Sequence, residues 1–352
     1  MRYNVSRVRS FERGTALMDS NGNESWYLKI DYSQLMDLRV DYAFKLLFVK
    51  GDPRLLISLL NAIFANKKIN RIIKSLTIKN PFLEKESGED KLAILDIRAE
   101  LDDGTTVLIE MHLYGLDELK AKTIRSWARA FGEELVAGDK FAKQLPTITI
   151  AFADGAVKPL VSVKKKKEDT DKIHRLCMIM DRDDCSIFTD VMELHYIDMR
   201  AFAKAVNKAG NINIAGTEAS MFTKWLSIIT QKEIKDKNII ANICKDEEDM
   251  QMAVSTLARQ SEDKYIRQAY LRRQDEIYFF NKNMYEKAKF KQEAEEANLR
   301  AEQERQRAEQ AVQRAEQEKQ HTEQERCRAE KAESEIEKLL QQIAALKASK
   351  EV

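Results

Sequence analysis

Three things are scarce in this chain: cysteines spaced to pair or bind metal, long apolar runs, and an excess of charge of either sign. The four cysteines, Cys177, Cys185, Cys244 and Cys327, form no CxxC pair, as expected of thiols kept reduced in a cytosol and not of a structural zinc site. No stretch approaches the roughly eighteen apolar residues of a membrane span, and no apolar leader core opens the chain. A cytoplasmic location is therefore expected. Basic and acidic residues number 59 and 58, too even for a polybasic coat that would hold nucleic acid by neutralising many phosphates at once.

Charge is nevertheless abundant, at 33% of residues, and much of it lies in residues 291–352, which contain 12 basic and 15 acidic residues and neither glycine nor proline. The remainder is only slightly basic, at 47 against 43. The expected division is an N-terminal segment (1–30), a main α/β domain (31–200), a helical extension (201–290) and a charged tail (291–352).

Asn21-Gly22-Asn23 marks a turn in the polar first segment. Across residues 33–64 apolar side chains from Leu35 to Ile63 recur at helical spacing, and Gly51-Asp52-Pro53 divides the stretch into two helices, with Asp52 as N-cap and Pro53 in the first turn. Strand-like runs follow at 72–78, 92–101 and 105–113, then a helix at 116–137 ended by Gly138 and a strand at 147–152. The lysine run 164–167, followed by Glu168 and Asp169, reads as a solvated loop. Residues 173–180 and 191–197 predict further strands. Residues 201–231, with Trp225 in the core, and 249–281 predict two helices.

Asp102-Asp103-Gly104 predicts a three-residue hairpin loop with Gly104 in the left-handed conformation, so that Leu101 pairs with Thr105 and Asp96 falls opposite Glu110. Alternation then sends Leu95, Ile97, Ala99 and Leu101, with Val107, Ile109, Met111 and Leu113, to one apolar face. The other face carries Ile94, Asp96, Arg98, Glu100, Thr106, Leu108, Glu110 and His112. Carboxylates directly opposed across a sheet repel unless positive charge lies between them. Mg²⁺, held by one or two carboxylates together with water and phosphate oxygens, meets that need. The other reading of this face is the wet side of a half-buried hairpin, its acids neutralised by Arg98. Ile94 and Leu108 imply that something, such as the helix of Asp41, covers part of it.

Four blocks, Asp41-Tyr-Ala-Phe-Lys-Leu-Leu-Phe48, Leu59-Leu-Asn-Ala-Ile-Phe64, Leu95-Asp-Ile-Arg-Ala99 and Ile109-Glu-Met111, resemble in composition and order the Rpn-type recombination-promoting nuclease and transposase family of the PD-(D/E)XK nuclease superfamily. The similarity continues through Trp127-Ala-Arg-Ala-Phe131, residues 135–138 and Leu194-His-Tyr-Ile197, spanning about residues 35–290. The resemblance implies a restriction-endonuclease-like α/β core of helices, a three-stranded antiparallel meander, a helix and a strand. It also implies divalent-metal-dependent hydrolysis of DNA, with Mg²⁺ or another divalent cation such as Mn²⁺, and a link to recombination or mobile elements.

Asp96 matches the family's hairpin aspartate and Glu110 its glutamate, so the pair is expected to hold the metal. Asp41 matches the helix acid, read either as a third carboxylate or as a first-turn residue favourable to the helix dipole. Lys45 and Lys122 are candidates for phosphate contact or plain surface lysines. His112 departs from the family, which usually has glutamine there, and from the wider superfamily, which often has lysine. Neutral histidine orients or deprotonates water and its protonated form stabilises negative charge, so the substitution is compatible with chemistry and also with a decayed site. The alternative function is a catalytically weakened, nuclease-derived DNA-binding or scaffold protein.

Arg-Ala-Glu-Gln begins at Arg300, Arg307 and Arg314, varies to His-Thr-Glu-Gln at His321 and returns as Arg-Ala-Glu-Lys at Arg328. This seven-residue repeat predicts a long helix or coiled coil. Only its end, with Ile336, Leu339, Ile343 and Leu346 at the a and d positions, has a strong apolar seam, and homo-oligomerisation is expected there.

Overall fold

The computed structural model describes residues 26–79, 97–113, 116–134, 144–158, 172–209, 220–236, 238–245 and 247–348. The turn at Asn21-Gly22-Asn23, residues 92–96 including Asp96, residues 135–138 and the lysine run 164–167 lie outside them. After a short 3-10 helix (Trp26–Lys29) come α1 (Asp41–Lys50) and α2 (Pro53–Asn66). Their break forms as the sequence predicts. Asp52 accepts from the Arg54 backbone N–H at 2.9 Å, and Pro53 opens α2, where a missing N–H costs nothing.

Strands β1 (Leu76–Ile78), β2 (Ile97–Leu101) and β3 (Thr106–His112) follow as an antiparallel meander. Helix α3 (Leu116–Glu133) crosses to β4 (Thr147–Ala153), which runs parallel to β3. Strands β5 (His174–Met180) and β6 (Ile187–Asp198) complete a six-stranded sheet of order β1-β2-β3-β4-β6-β5, with β6 parallel to β4 and β5 antiparallel at the edge. Three adjacent strands, β3, β4 and β6, thus point the same way and end at His112, Ala153 and Asp198.

One face of the sheet carries the main core. Ile97, Leu101, Val107, Ile109, Ile148, Ile150 and Phe152 pack with the apolar faces of α1 and α2, and Phe44 meets Phe152 with ring centroids 5.6 Å apart. The opposite face is closed by α3, whose Leu119 packs among Ala151, Ala153, Leu194 and Tyr196. This corrects the expectation that the helix of Asp41 covers the second face. A parallel β3–β4 pair needs a crossover, and the crossover helix lies on that face, its Glu133 paired with Arg98 at 2.7 Å.

The C-terminal half is α4 (Met199–Ala209), α5 (Met221–Ile229), α6 (Asn238–Cys244), α7 (Glu248–Glu262) and α8 (Lys264–Ala348). Trp225 is fully buried and its indole N–H donates to Ser58 Oγ at 3.1 Å. The two long helices expected here are each interrupted. Ser220, extended, caps α5 through the Thr223 N–H. Asp263 ends α7 in an extended conformation and accepts from the N–H groups of Tyr265 and Ile266, opening α8. The tail repeat is therefore the distal part of one helix that begins at Lys264.

The main core draws side chains from Tyr27 to Tyr270, so α4 to α7 share it with the sheet. Two compact units result, one ending at Ile277 and one starting at Tyr278. No helix among the described residues is long and apolar enough to cross a membrane.

Candidate active site

The hairpin that carries Glu110 has the predicted register. Gly104 adopts φ +85°, the Leu101 N–H donates to Thr105 O at 2.9 Å, and the Asp103 carboxylate accepts from the Thr105 N–H. Ile97 faces Ile109, Arg98 faces Leu108, Ala99 faces Val107 and Glu100 faces Thr106. Asp96 precedes the first described residue of β2, and its own position lies outside the described residues.

Glu110 is 6% exposed, although it sits among the residues expected to form the wetter face. Thr106 and Leu108 beside it are buried too. The cause is the cover by α3: β3 lies inside the sheet with a helical layer on each side, so its two faces differ in polarity more than in exposure. Alternation along the strand brings His112 to the same face, and its Nε2 lies 2.8 Å from Glu110 Oε2. Among the described residues this is the contact that engages the Glu110 carboxylate.

Register carries the site across the sheet. Glu110 pairs with Ala151, Ala151 with Tyr196, and Tyr196 with Arg175, forming one row on the face covered by α3. Burial pushes the Tyr196 hydroxyl up to about 12, and the Glu110 charge acts in the same direction, against a hydrogen bond with Thr123 of α3. The next row holds His112, Ala153 and Asp198. Burial raises the Asp198 carboxyl above its ordinary value although its Oδ1 accepts from the Ala201 N–H at 2.8 Å, capping α4. Asp154, just past β4, pairs with Arg200 at 2.5 Å. These groups gather at the C-terminal ends of parallel strands, where open α/β sheets bind ligands. Tyr196 and Asp198 were not singled out from sequence. For Tyr196 the signal was the Leu194-His-Tyr-Ile197 block, which fixes its strand but not its row, and Asp198 lies one residue beyond that block.

The remaining candidates lie elsewhere. Asp41 opens α1, on the other face of the sheet, where its Oδ1 accepts from the Tyr42 N–H and both oxygens bind the Arg273 guanidinium at 2.5–3.0 Å. No hydrogen bond or ion pair among the described residues joins it to Glu110 or His112. Lys45 is half-buried on α1, and Lys122 is exposed on α3, paired with Glu118 at 3.1 Å.

As a metal site the described part is incomplete: no group of three or more histidine, cysteine or acidic side chains suited to an ion occurs among the described residues. The donor present is of the right kind, because a buried carboxylate on a rigid strand is a hard oxygen ligand and Mg²⁺ needs only one or two of these from protein. Glu110 fits such an ion when a second acid is close, and Asp96 is the acid the hairpin register would supply.

No curated protein matches this chain, and no solved structure does. A family model described as PD-(D/E)XK nuclease family transposase matches residues 38–288, a span that takes in β1 to β6 and the start of α8. With that match over most of its length, and the acid of β3 buried where the hairpin puts it, the chain belongs to the PD-(D/E)XK nuclease family of transposases.

Proposed function

We propose that this chain is a divalent-metal-dependent DNA endonuclease with a restriction-endonuclease-like core, acting in recombination or on mobile elements. The observation that carries the reading is Glu110, a buried carboxylate at the C-terminal end of a central strand, on a hairpin whose described register runs from Glu100–Thr106 to Ile97–Ile109. Leaving a carboxylate in such a position without compensating charge is costly. Asp96 and Glu110 hold Mg²⁺ or Mn²⁺ in this reading.

When bound, the cation would supply positive charge to the scissile phosphate and lower the pKa of a nearby water. The protein side chains do the rest. Glu110 fixes the position of the site, and His112, through its 2.8 Å contact, orients the Glu110 carboxylate as a positioning residue. Such outer partners typically change metal affinity or activity by about 10–100-fold when removed. Asp41, held by Arg273, anchors α1 to α8 behind the sheet. The end of α8 joins two copies through Ile336, Leu339 and Ile343, which suits an enzyme that must cut two strands.

Titration calorimetry with Mn²⁺ tests the pair. The wild-type chain is expected to bind the ion, and Asp96→Ala and Glu110→Ala are each expected to lose that heat while retaining the native circular dichroism spectrum. Undiminished binding by either variant overturns the assignment.

A further inference from the structure

The second compact unit opens on a segment unlike the rest of the tail. Residues 278–291 hold five aromatic side chains, Tyr278, Phe279, Phe280, Tyr285 and Phe290, with four lysines and the single acid Glu286, whereas residues 292–352 contain no phenylalanine, tyrosine or tryptophan. All five rings are exposed, Tyr278 at 64% and Tyr285 at 73%. Contiguous apolar surface left open to water marks a contact site. Helix geometry sorts these residues. Tyr278, Lys282, Tyr285 and Lys289 follow the spacing i, i+4, i+7 and i+11 and form one stripe of α8, about 16 Å long at about 1.5 Å per residue. Rings and ammonium groups alternate along it. By the same spacing Phe280, Met284, Lys287 and Lys291 take a second stripe, and Phe279 and Phe290 share a third.

The order of residues selects among occupants. A helix that lies on a membrane separates an apolar face from a basic one, and here aromatic side chains point around the helix with lysines among them. A second copy seated on the stripe would bury two ammonium groups from each chain, with no acid between Tyr278 and Lys289 on that stripe to pair them. A single strand of nucleic acid has the matching chemistry, with flat base faces that stack on aromatic rings and phosphates that meet the lysines. A duplex keeps its base faces stacked inside. Lys289 also lies 3.8 Å from Glu293, an exposed pair of the weak kind that yields to a phosphate.

We infer that Tyr278, Lys282, Tyr285 and Lys289 form a platform for single-stranded DNA, with bases stacked on the two tyrosines and phosphates held by the two lysines. The platform rests on the nuclease reading for its choice of DNA and deepens it, extending the substrate to one that carries an unpaired strand. The contact is independent of sequence, since every base has a face to stack.

Fluorescence anisotropy of the full-length protein with a labelled oligothymidylate, in EDTA to prevent cleavage, tests the platform. Tyr278→Ala with Tyr285→Ala is expected to weaken binding about thirty-fold, or about five-fold for each stacked base lost, while Tyr278→Phe with Tyr285→Phe binds as the wild type does. Lys282→Ala with Lys289→Ala is expected to lower the magnitude of the slope of log K against log salt by about 1.4, at about 0.7 per phosphate of a single strand. Exposed helix positions accept alanine, and melting curves verify folding. A double tyrosine-to-alanine variant that binds the strand as tightly as the wild type overturns the platform. Were that variant instead to lose binding to phosphatidylserine vesicles, or to fall to monomer in light scattering, the stripe would belong to a membrane or to a second copy. Wild-type protein that nicks plasmid with Mg²⁺ but binds no oligothymidylate overturns the platform and leaves the nuclease reading standing. Protein that does neither overturns both.

Discussion

Burial decides what each titratable side chain here can do. Glu110 is enclosed with His112 beside it, whereas a second buried set on the other face of the sheet is closed to chemistry. Asn66 donates to His174 Nδ1 at 2.8 Å, which obliges His174 to donate from Nε2 to His195 Nδ1 at 2.9 Å, and His195 Nε2 in turn faces Glu193, which Arg71 pairs at 3.1 Å. The chain of donors is complete with both rings neutral. Burial pushes His174 down to about 2, with the neighbouring His195 and Lys67 adding to the shift, and burial lowers His195 as well. Glu193 is held below its usual value by His195 and Arg71 against the opposing effect of burial.

The signs agree for all three groups. The unfolded chain takes up protons on the histidines below about pH 6.5 while the folded chain does not, so stability is full above that pH and is lost as the pH falls. Glu193 adds the same trend below its unfolded pKa. The melting temperature of the wild-type chain is expected to drop between pH 7 and pH 5, and that of His174→Gln to drop less. Parallel slopes for the two proteins would contradict this.

At the scale of elements, what was legible in the sequence was whatever a local rule dictates. Asp52-Pro53 fixed the start of α2, and Gly104 fixed the hairpin and so the facing of Glu110. Gly104 holds φ +85°, and a Cβ placed there would lie 2.5 Å from Leu145 Cδ1. Leu145 is exposed and can move, so the backbone conformation dominates. Gly104→Ala is expected to destabilise the fold by about 1–2 kcal/mol, read as a lower urea midpoint with an unchanged m-value. An unaltered midpoint would mean that the turn does not set the register.

The misreadings at this scale have one cause: a break or a cover set by tertiary context leaves little local mark. Asp263 sits in a polar stretch, with neither glycine nor proline, between two helical segments, so the junction of α7 and α8 reads as continuous. Helix α6 is a seven-residue apolar run too short to show a period. The cover over Glu110 comes from a crossover helix whose partner face includes residues of β4 and β6 far along the chain.

For the whole molecule, the family and the hairpin register could be read directly, while the rows that cross the sheet could not. Tyr196, Asp198 and Arg175 share rows with Glu110 and His112 only because β6 lies between β4 and β5, an order that no local pattern encodes. The distal part of α8 was legible from its repeat, and its seam is open: Ile336, Leu339 and Ile343 are about half exposed in the single chain. Covering side chains of this size contributes about 1.5–3 kcal/mol each. Light scattering of the full-length chain is expected to show a concentration-dependent dimer that Leu339→Lys with Ile343→Lys converts to monomer. A variant of unchanged mass would remove the tail from assembly.

The central claim is that Glu110 belongs to a working metal site, and plasmid nicking tests it most directly. Supercoiled DNA incubated with the purified wild-type chain is expected to be cut with Mg²⁺ and to stay intact in EDTA. Glu110→Ala, folded as judged by its melting curve, is expected to leave the plasmid supercoiled under both conditions. Cutting by Glu110→Ala at the wild-type rate, or wild-type cutting that ignores Mg²⁺, would contradict the account.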